Sequence, residues 1–129
     1  MKGLQLFNSE QFYECHDTLE ELWLEDSTSD RLFYQGLIQV AVGFYHLTGA
    51  KLGAARTMMK MALEKLAPYP ARHRGIQLAQ FREQVAEWKR MLDDAIALKC
   101  EVAKRPFPKI QYDPAKDSWP QEAQGAGSG

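Results

Sequence analysis

A histidine and a glutamate lie one helical turn apart near the start of the chain, in the string HDTLE at residues 16–20. Residues i and i+4 are neighbours on a helix, about 5–6 Å apart at Cβ, so His16 and Glu20 could bind one ion together. The string parallels the H-E-x-x-H zinc helix, with Asp17 in the place of the catalytic base. With His46 from another helix, three protein ligands would leave one position for water, as in catalytic zinc sites. The pattern therefore predicts a divalent-metal site of His16, Glu20 and His46, for which zinc, manganese, nickel and iron(II) are all candidates.

Gln35 and Gln39 extend this polar set, because they share one helical stripe with His46. Their amides are candidate groups for binding a ligand or cofactor. A second interpretation needs no metal: an imidazole, a carboxylate and facing amides can form a hydrogen-bond network that fixes how two helices pack. Both interpretations predict that His16, Glu20, Gln39 and His46 converge between the helices that carry them.

The segment from Arg31 to Leu47 must position these groups, since it is apolar on every side and is interrupted only by its polar stripe. Such a helix is typical of the middle of a bundle. Gly36 and Gly43 lie beside the stripe and would let a neighbouring backbone approach closely. Asn8 and Gln11 predict a capping box for the preceding helix. Four helices are predicted. The first runs from just after Asn8 to about Glu25, and the second runs from a cap at Ser29 to Leu47. The third spans Lys51 to Leu66, and the fourth spans about Ile76 to Cys100.

Short loops between long helices favour antiparallel neighbours, and no β pattern is evident. The sequence therefore predicts an all-α fold, a single-domain antiparallel bundle of about four main helices in residues 1–103. Four prolines and a Gly/Ser-rich end exclude a helix from Lys104 onward. Residues 104–129 are accordingly predicted to be an extended or disordered C-terminal tail. Its apolar residues could hold part of the tail across the bundle, namely Phe107, Ile110, Tyr112 and Trp119.

The composition is 45% hydrophobic and 26% charged over 129 residues, which is typical of a soluble globular protein. A formal net charge of −1 disfavours nucleic acid as a partner, because such proteins usually carry a basic face. The N-terminus lacks the apolar run of a signal peptide, and the polar stripe disfavours a membrane span. Cys15 and Cys100 have no metal-binding spacing, so we expect both to be reduced in the cytoplasm.

Two long stretches, FNSEQFYECHDTLEELW (residues 7–23) and FYQGLIQVAVGFYHLTGAKLGA (residues 33–54), resemble the family catalogued as domain of unknown function 309. The PFPKI stretch at residues 106–110 adds to this resemblance. Family members are small all-helical proteins, sometimes labelled predicted metal-dependent hydrolases on the same His-acid-x-x-Glu string. The resemblance implies a helical bundle with a polar site at His16, Glu20, Gln35, Gln39 and His46. This chain departs from the family pattern in having Asp at position 17 instead of Glu and Ala at position 50 instead of Asn.

Two functions from different classes follow from these observations. The first is metal-dependent hydrolysis, with His16, Glu20 and His46 as ligands and Asp17 as base. The second is a non-enzymatic interaction or scaffold protein in which the polar residues only set helix packing. The expected partner is a small molecule or a protein, with no nucleic acid and no membrane, and a homo-oligomer is left open. No motif identifies a substrate.

Overall fold

Five α-helices and one β-hairpin form the part of the chain that our computed structural model describes, residues 2–25, 30–102 and 105–113. The elements are α1 (Lys2–Asn8), α2 (Phe12–Glu25), α3 (Arg31–Thr48), α4 (Leu52–Leu66), β1 (Arg72–His73), β2 (Ile76–Gln77) and α5 (Leu78–Leu98). The predicted all-α bundle with four main helices is confirmed, and α1 is an additional short helix. The hairpin was not predicted, because strands of two residues are too short to show alternation. The expected cap Ser29, Trp119 and the terminal QGAGSG lie outside the described residues.

The helix α3 lies at the centre, with most of its side chains buried. It packs against α2 on one side and α4 on the other, and α4 packs in turn against α5. The connections from α2 to α3 and from α3 to α4 are short, which is typical of antiparallel neighbours. No helix in the described parts of the chain combines the length and the apolarity that a membrane crossing requires.

An aromatic cluster around Phe44 joins the elements of the bundle. Phe44 is fully buried. Its ring centroid lies 6.1 Å from that of Phe7 and 5.8 Å from that of Phe12. On the other side it lies 5.7 Å from the Trp88 ring and 5.2 Å from the Phe107 ring. One side chain of α3 therefore packs against α1, α2, α5 and the C-terminal segment.

Residues 105–113, here called the C-terminal strap, contain no helix and lie against the bundle. The amide of Ile110 donates to Asn8 Oδ1 at 2.7 Å, and its carbonyl accepts from Asn8 Nδ2 at 3.0 Å. The amide of Gln77 donates to the carbonyl of Gln111 at 2.8 Å. The strap is thus held by hydrogen bonds of its backbone and by the side chain of Phe107, which packs into the cluster around Phe44.

The predicted capping box at Asn8 is wrong. Asn8 is the last residue of α1, and the chain turns at Glu10, whose φ of 63° lies in the left-handed region. The helix α2 begins only at Phe12, and the carbonyl of Gln11 accepts the amide of Cys15 at 2.9 Å. The side chain of Asn8 instead forms hydrogen bonds with the backbone of Ile110 in the strap. A contact between positions so far apart produces no local pattern in the sequence.

The close approach of α3 and α4 at Gly36 and Gly43 is confirmed. A Cβ added to Gly36 would lie 2.7 Å from the Cγ of Leu66, which is itself fully buried. A Cβ added to Gly43 would lie 3.4 Å from the carbonyl oxygen of Ala55. The two glycines therefore set the spacing between the helices.

Alanine substitutions at two helical glycines should change stability in opposite directions. Gly36→Ala is expected to destabilise the protein by about 1 kcal/mol or more, because the clash with Leu66 exceeds the gain in helix propensity. Gly53→Ala is expected to stabilise it by about 0.5–1 kcal/mol, because no atom of the described residues lies within 4 Å of the added Cβ. Urea unfolding followed by circular dichroism measures both changes, and stabilisation by Gly36→Ala would contradict the described spacing.

Candidate functional site

The His16–Glu20 pair forms as the helical spacing predicted. His16 Nε2 lies 2.9 Å from Glu20 Oε2, and His16 Nδ1 lies 3.5 Å from Asp17 Oδ1. The side chains are 29%, 46% and 60% exposed for His16, Glu20 and Asp17 respectively. These three groups therefore lie on the outer flank of α2, in contact with solvent.

The polar residues of α3 have different environments. Gln39 is buried, and its Oε1 atom has no hydrogen-bond partner among the described residues. Gln35 and His46 are partly exposed. The His46 ring lies 6.3 Å from the ring of its neighbour Tyr45, which is 48% exposed. The predicted stripe thus runs from a buried amide to a partly exposed imidazole at the end of α3.

A catalytic metal centre needs a third protein donor beside His16 and Glu20. Within residues 2–25, 30–102 and 105–113, no three His, Cys, Asp or Glu side chains lie together in a way that could hold a metal ion. The described side chains thus supply a pair of adjacent donors and do not fit a three-ligand centre. The ligand set with His46, and Asp17 as its base, stay predictions.

Two exposed tyrosines meet beside this pair, where the start of α2 faces the end of α3. The rings of Tyr13 and Tyr45 lie 5.8 Å apart at 56°, and they are 54% and 48% exposed. They line an open groove of about 660 Å³, here called the tyrosine groove. Its lining consists of Glu10, Gln11, Phe12, Tyr13, Glu14, Tyr45 and Thr48. A third tyrosine of these two helices, Tyr34, is fully buried.

Comparison with known proteins gives a family assignment. The model of the family described as Domain of unknown function (DUF309) matches residues 1–58. Residues 1–58, here called the DUF309 segment, are thus similar to this family. An uncharacterized protein of Aquifex aeolicus is 30% identical over 82 residues, which are 63% of this chain and 25% of that protein. The uncharacterized protein YpuF of Bacillus subtilis is 34% identical over 67 residues, which are 51% of this chain and 37% of YpuF. The matched part of this chain thus spans well under half the length of either relative.

The DUF309 segment contains α1, α2, α3 and the first part of α4. All the predicted site residues, from His16 to His46, lie within it, and so does the whole tyrosine groove. The hairpin, α5 and the C-terminal strap lie beyond residue 58. The candidate site is therefore a property of the DUF309 segment alone.

The end of α3 accommodates Ala50, where this chain departs from the pattern that resembles DUF309. Ala50 has a φ of 59°, in the left-handed region that asparagine and glycine tolerate best. Asparagine at this position would therefore suit the backbone itself. The carbonyl of His46 accepts the amides of Gly49 and Lys51, each at 3.0 Å, so the backbone caps the helix without a side chain at position 50.

A second polar cluster, outside the DUF309 segment except for Asp30, was missed by the sequence patterns. Asp30 is only 8% exposed. Its carboxylate accepts from His73 Nε2 at 3.0 Å and from Arg74 Nε. The His73 ring also lies 4.7 Å from the Phe33 ring and 5.0 Å from the Tyr69 ring. A carboxylate of the chain itself therefore binds this imidazole. Asp30 and His73 are 43 residues apart in sequence, and no local signal predicts such a pairing.

The two cysteines are both free, as predicted, but their environments differ. Cys15 is fully buried, and burial raises the pKa of its thiol to about 12, whereas Cys100 is exposed. Since the thiolate is the reactive form, a disulfide reagent at pH 8 should modify one thiol rapidly and Cys15 only after unfolding. Thiol counting by absorbance measures this, and Cys100→Ser should abolish the rapid phase. Two rapidly reacting thiols in the native protein would contradict the burial of Cys15.

Proposed function

We propose that the DUF309 segment is a protein-interaction module that binds a basic partner through the outer surface of α2. The observation that carries the proposal is the charge of this helix. It contains five carboxylates and neither lysine nor arginine, although the whole chain has a formal net charge of −1. These residues are Glu14, Asp17, Glu20, Glu21 and Glu25.

The opposite charge lies on other elements, so the molecule has an acidic side. The helix α4, for example, carries Arg56, Lys60 and Lys65 with Glu64 as its only acid. Clustered charge of one sign attracts a partner of the other sign and accelerates its association. An acidic helix with exposed aromatic residues along its flank therefore supports binding of a basic protein surface.

The exposure of the His16–Glu20 pair supports an interaction surface over a buried packing network. A network that sets helix packing requires its polar groups to be satisfied inside the interface. Here His16 pairs with Glu20 on its own helix, and Gln39 Oε1 has no partner among the described residues. The polar flank of α2 thus faces outward, where a partner can reach it.

The proposal is tested by cross-linking the full chain in its native cells, identifying bound proteins by mass spectrometry, and reconstituting each complex from purified components. A variant with Asp17→Asn, Glu21→Gln and Glu25→Gln should weaken a genuine partner about tenfold or more. The affinity for the wild-type chain should also fall as salt is added, because exposed charges are screened.

A matched variant removes the same number of carboxylates from outside α2, by Glu64→Gln, Glu83→Gln and Glu101→Gln. All three residues are exposed. This variant should retain the wild-type affinity within about twofold, since its charges lie away from the interface. If every reconstituted partner binds the two variants equally, the proposed role of α2 is wrong.

Metal-dependent hydrolysis is the second candidate, and the contact between His16 Nε2 and Glu20 Oε2 at 2.9 Å is the observation in its favour. Two donors one turn apart can chelate an ion, but this hypothesis still requires a third ligand. The arrangement of described side chains therefore supports interaction better than hydrolysis.

A thermal-shift experiment separates the two candidates. A metal that binds only the native state stabilises it by about 2.7 kcal/mol at a hundredfold excess over Kd, which raises Tm by several degrees. If the segment is an interaction module, zinc, manganese, nickel and iron(II) should cause no shift that depends on His16. A shift that disappears in both His16→Ala and His46→Ala, and persists in Cys100→Ser, would establish the predicted ligand set and favour the hydrolase.

A further inference from the structure

The tyrosine groove has the charge and the aromatic surface that suit a cation. Glu10 and Glu14 contribute carboxylates, and no lysine or arginine is among the described residues that line the groove. Glu10 already faces Lys109 of the strap at 3.5 Å, so its charge is partly compensated. Among the described residues Glu14 has no ion pair. It therefore provides the main negative charge for a ligand at this site.

Helix dipoles do not decide the sign of the ligand. The negative end of α3, at Thr48, and the positive end of α2, near Phe12, both border the groove. Their partial charges are opposite and of similar size, so they largely cancel. The side chains of Tyr13, Glu14 and Tyr45 are left to determine which ligand binds.

The same fold shows how these groups hold a cation elsewhere. Arg74 pairs with the carboxylate of Asp30 while its guanidinium lies 5.6 Å from the centre of the Tyr34 ring. Arg31 likewise lies 4.8 Å from the centre of the Trp23 ring. A carboxylate and a tyrosine face thus bind an arginine within this chain, and the groove offers both groups to solvent.

We infer that the tyrosine groove binds an arginine side chain of the basic partner, an inference that rests on the proposed function. The guanidinium stacks on Tyr13 or Tyr45 and donates hydrogen bonds to the carboxylate of Glu14. Arginine fits better than lysine, because its planar group both stacks on an aromatic face and donates two parallel hydrogen bonds to one carboxylate. The remaining volume of the groove is open and accommodates the residues on either side of this arginine.

Titration of the ¹⁵N-labelled full chain with the peptide acetyl-Gly-Arg-Gly-amide tests the inference by NMR. We expect saturable amide shifts that are largest at Tyr13, Glu14 and Tyr45. The peptide with citrulline in place of arginine should produce none of them, since it has the same shape without the charge. The lysine peptide should bind more weakly than the arginine peptide.

Single substitutions identify which groups contact the arginine. Glu14→Gln should weaken peptide binding about tenfold by removing the charge-assisted hydrogen bonds. Tyr45→Leu should weaken it about threefold by removing one aromatic face. Glu64→Gln is the matched control, because Glu64 is an exposed carboxylate outside α2 that does not line the groove. It should change the affinity less than about twofold.

Equal weakening by Glu14→Gln and Glu64→Gln, or binding of the citrulline peptide as tightly as the arginine peptide, would overturn the inference. Either result would show that the peptide has no specific site in the groove, and the proposed function would still be decided by the reconstituted partners. The converse outcome is that the arginine peptide binds the groove while every reconstituted partner binds the α2 variant and its matched variant equally. That result would contradict the proposed function and would still support arginine binding in the groove. The two experiments therefore fail independently.

Discussion

Phe44→Ala should lower the free energy of unfolding by about 3–5 kcal/mol, the usual cost of truncating a buried phenylalanine. The Phe44 ring contacts aromatic side chains from α1, α2, α5 and the strap, among them Trp88 at 5.7 Å and Phe107 at 5.2 Å. Its removal leaves a cavity that several separate elements would have to fill together. Since a domain of this size has a total stability of about 5–15 kcal/mol, the loss is a large fraction of it.

Urea unfolding followed by far-ultraviolet circular dichroism measures this loss. Tyr45→Ala, one position further along the same helix, is the matched control, because Tyr45 is 48% exposed. It should cost less than about 1 kcal/mol, as surface substitutions usually do. Similar losses for the two variants would show that the aromatic cluster is not the centre of the core.

Asp30→Asn should lower the free energy of unfolding by about 3 kcal/mol, because it removes the carboxylate that binds both His73 and Arg74. The Arg74 side chain is only 17% exposed, so solvent replaces the lost partner poorly. Asp30 precedes α3 without a side-chain capping bond, so the substitution leaves the helix cap intact. The loss therefore reports the attachment of the hairpin to α3.

Asp93→Asn makes the same chemical change where the carboxylate is more exposed. Asp93 pairs with Arg56 and with Lys89, the latter at 2.8 Å, and its side chain is 33% exposed. It should cost less than about 1 kcal/mol, since exposed ion pairs contribute little. Denaturant unfolding at constant salt compares the two variants, and equal costs would contradict a special role for Asp30.

The helices that carry the site were predictable because their causes are local. The apolar segment from Arg31 gives α3 its central place, since a helix without a polar face must be covered on all sides. The His16–Glu20 contact follows from one turn of α2 and needs no other element. Gly36 and Gly43 also indicated correctly where a neighbouring helix comes close, because only a missing side chain permits that distance.

The start of the chain shows where a local pattern misled. Asn8 and Gln11 have the spacing of a capping box, yet Asn8 ends α1 and its amide binds the backbone of Ile110. A capping box contributes only about 1 kcal/mol to stability, and hydrogen bonds from an asparagine side chain to a distant backbone segment contribute about as much. Asn8 and Ile110 are 102 positions apart, so their contact depends on how the strap packs against the bundle.

From the sequence alone, the approximate positions of the four main helices, their buried faces and the i,i+4 pair of His16 and Glu20 could be predicted, because each depends on dihedral angles and side-chain order within one segment. The tertiary structure decided which groups from different segments meet. It placed Tyr13 beside Tyr45 and bound Asp30 to His73 and Arg74. Among the described residues, it placed no three His, Cys, Asp or Glu side chains where they could hold a metal ion together. Such contacts depend on how each helix is rotated and shifted against its neighbours, and this is set by the packing of the whole core.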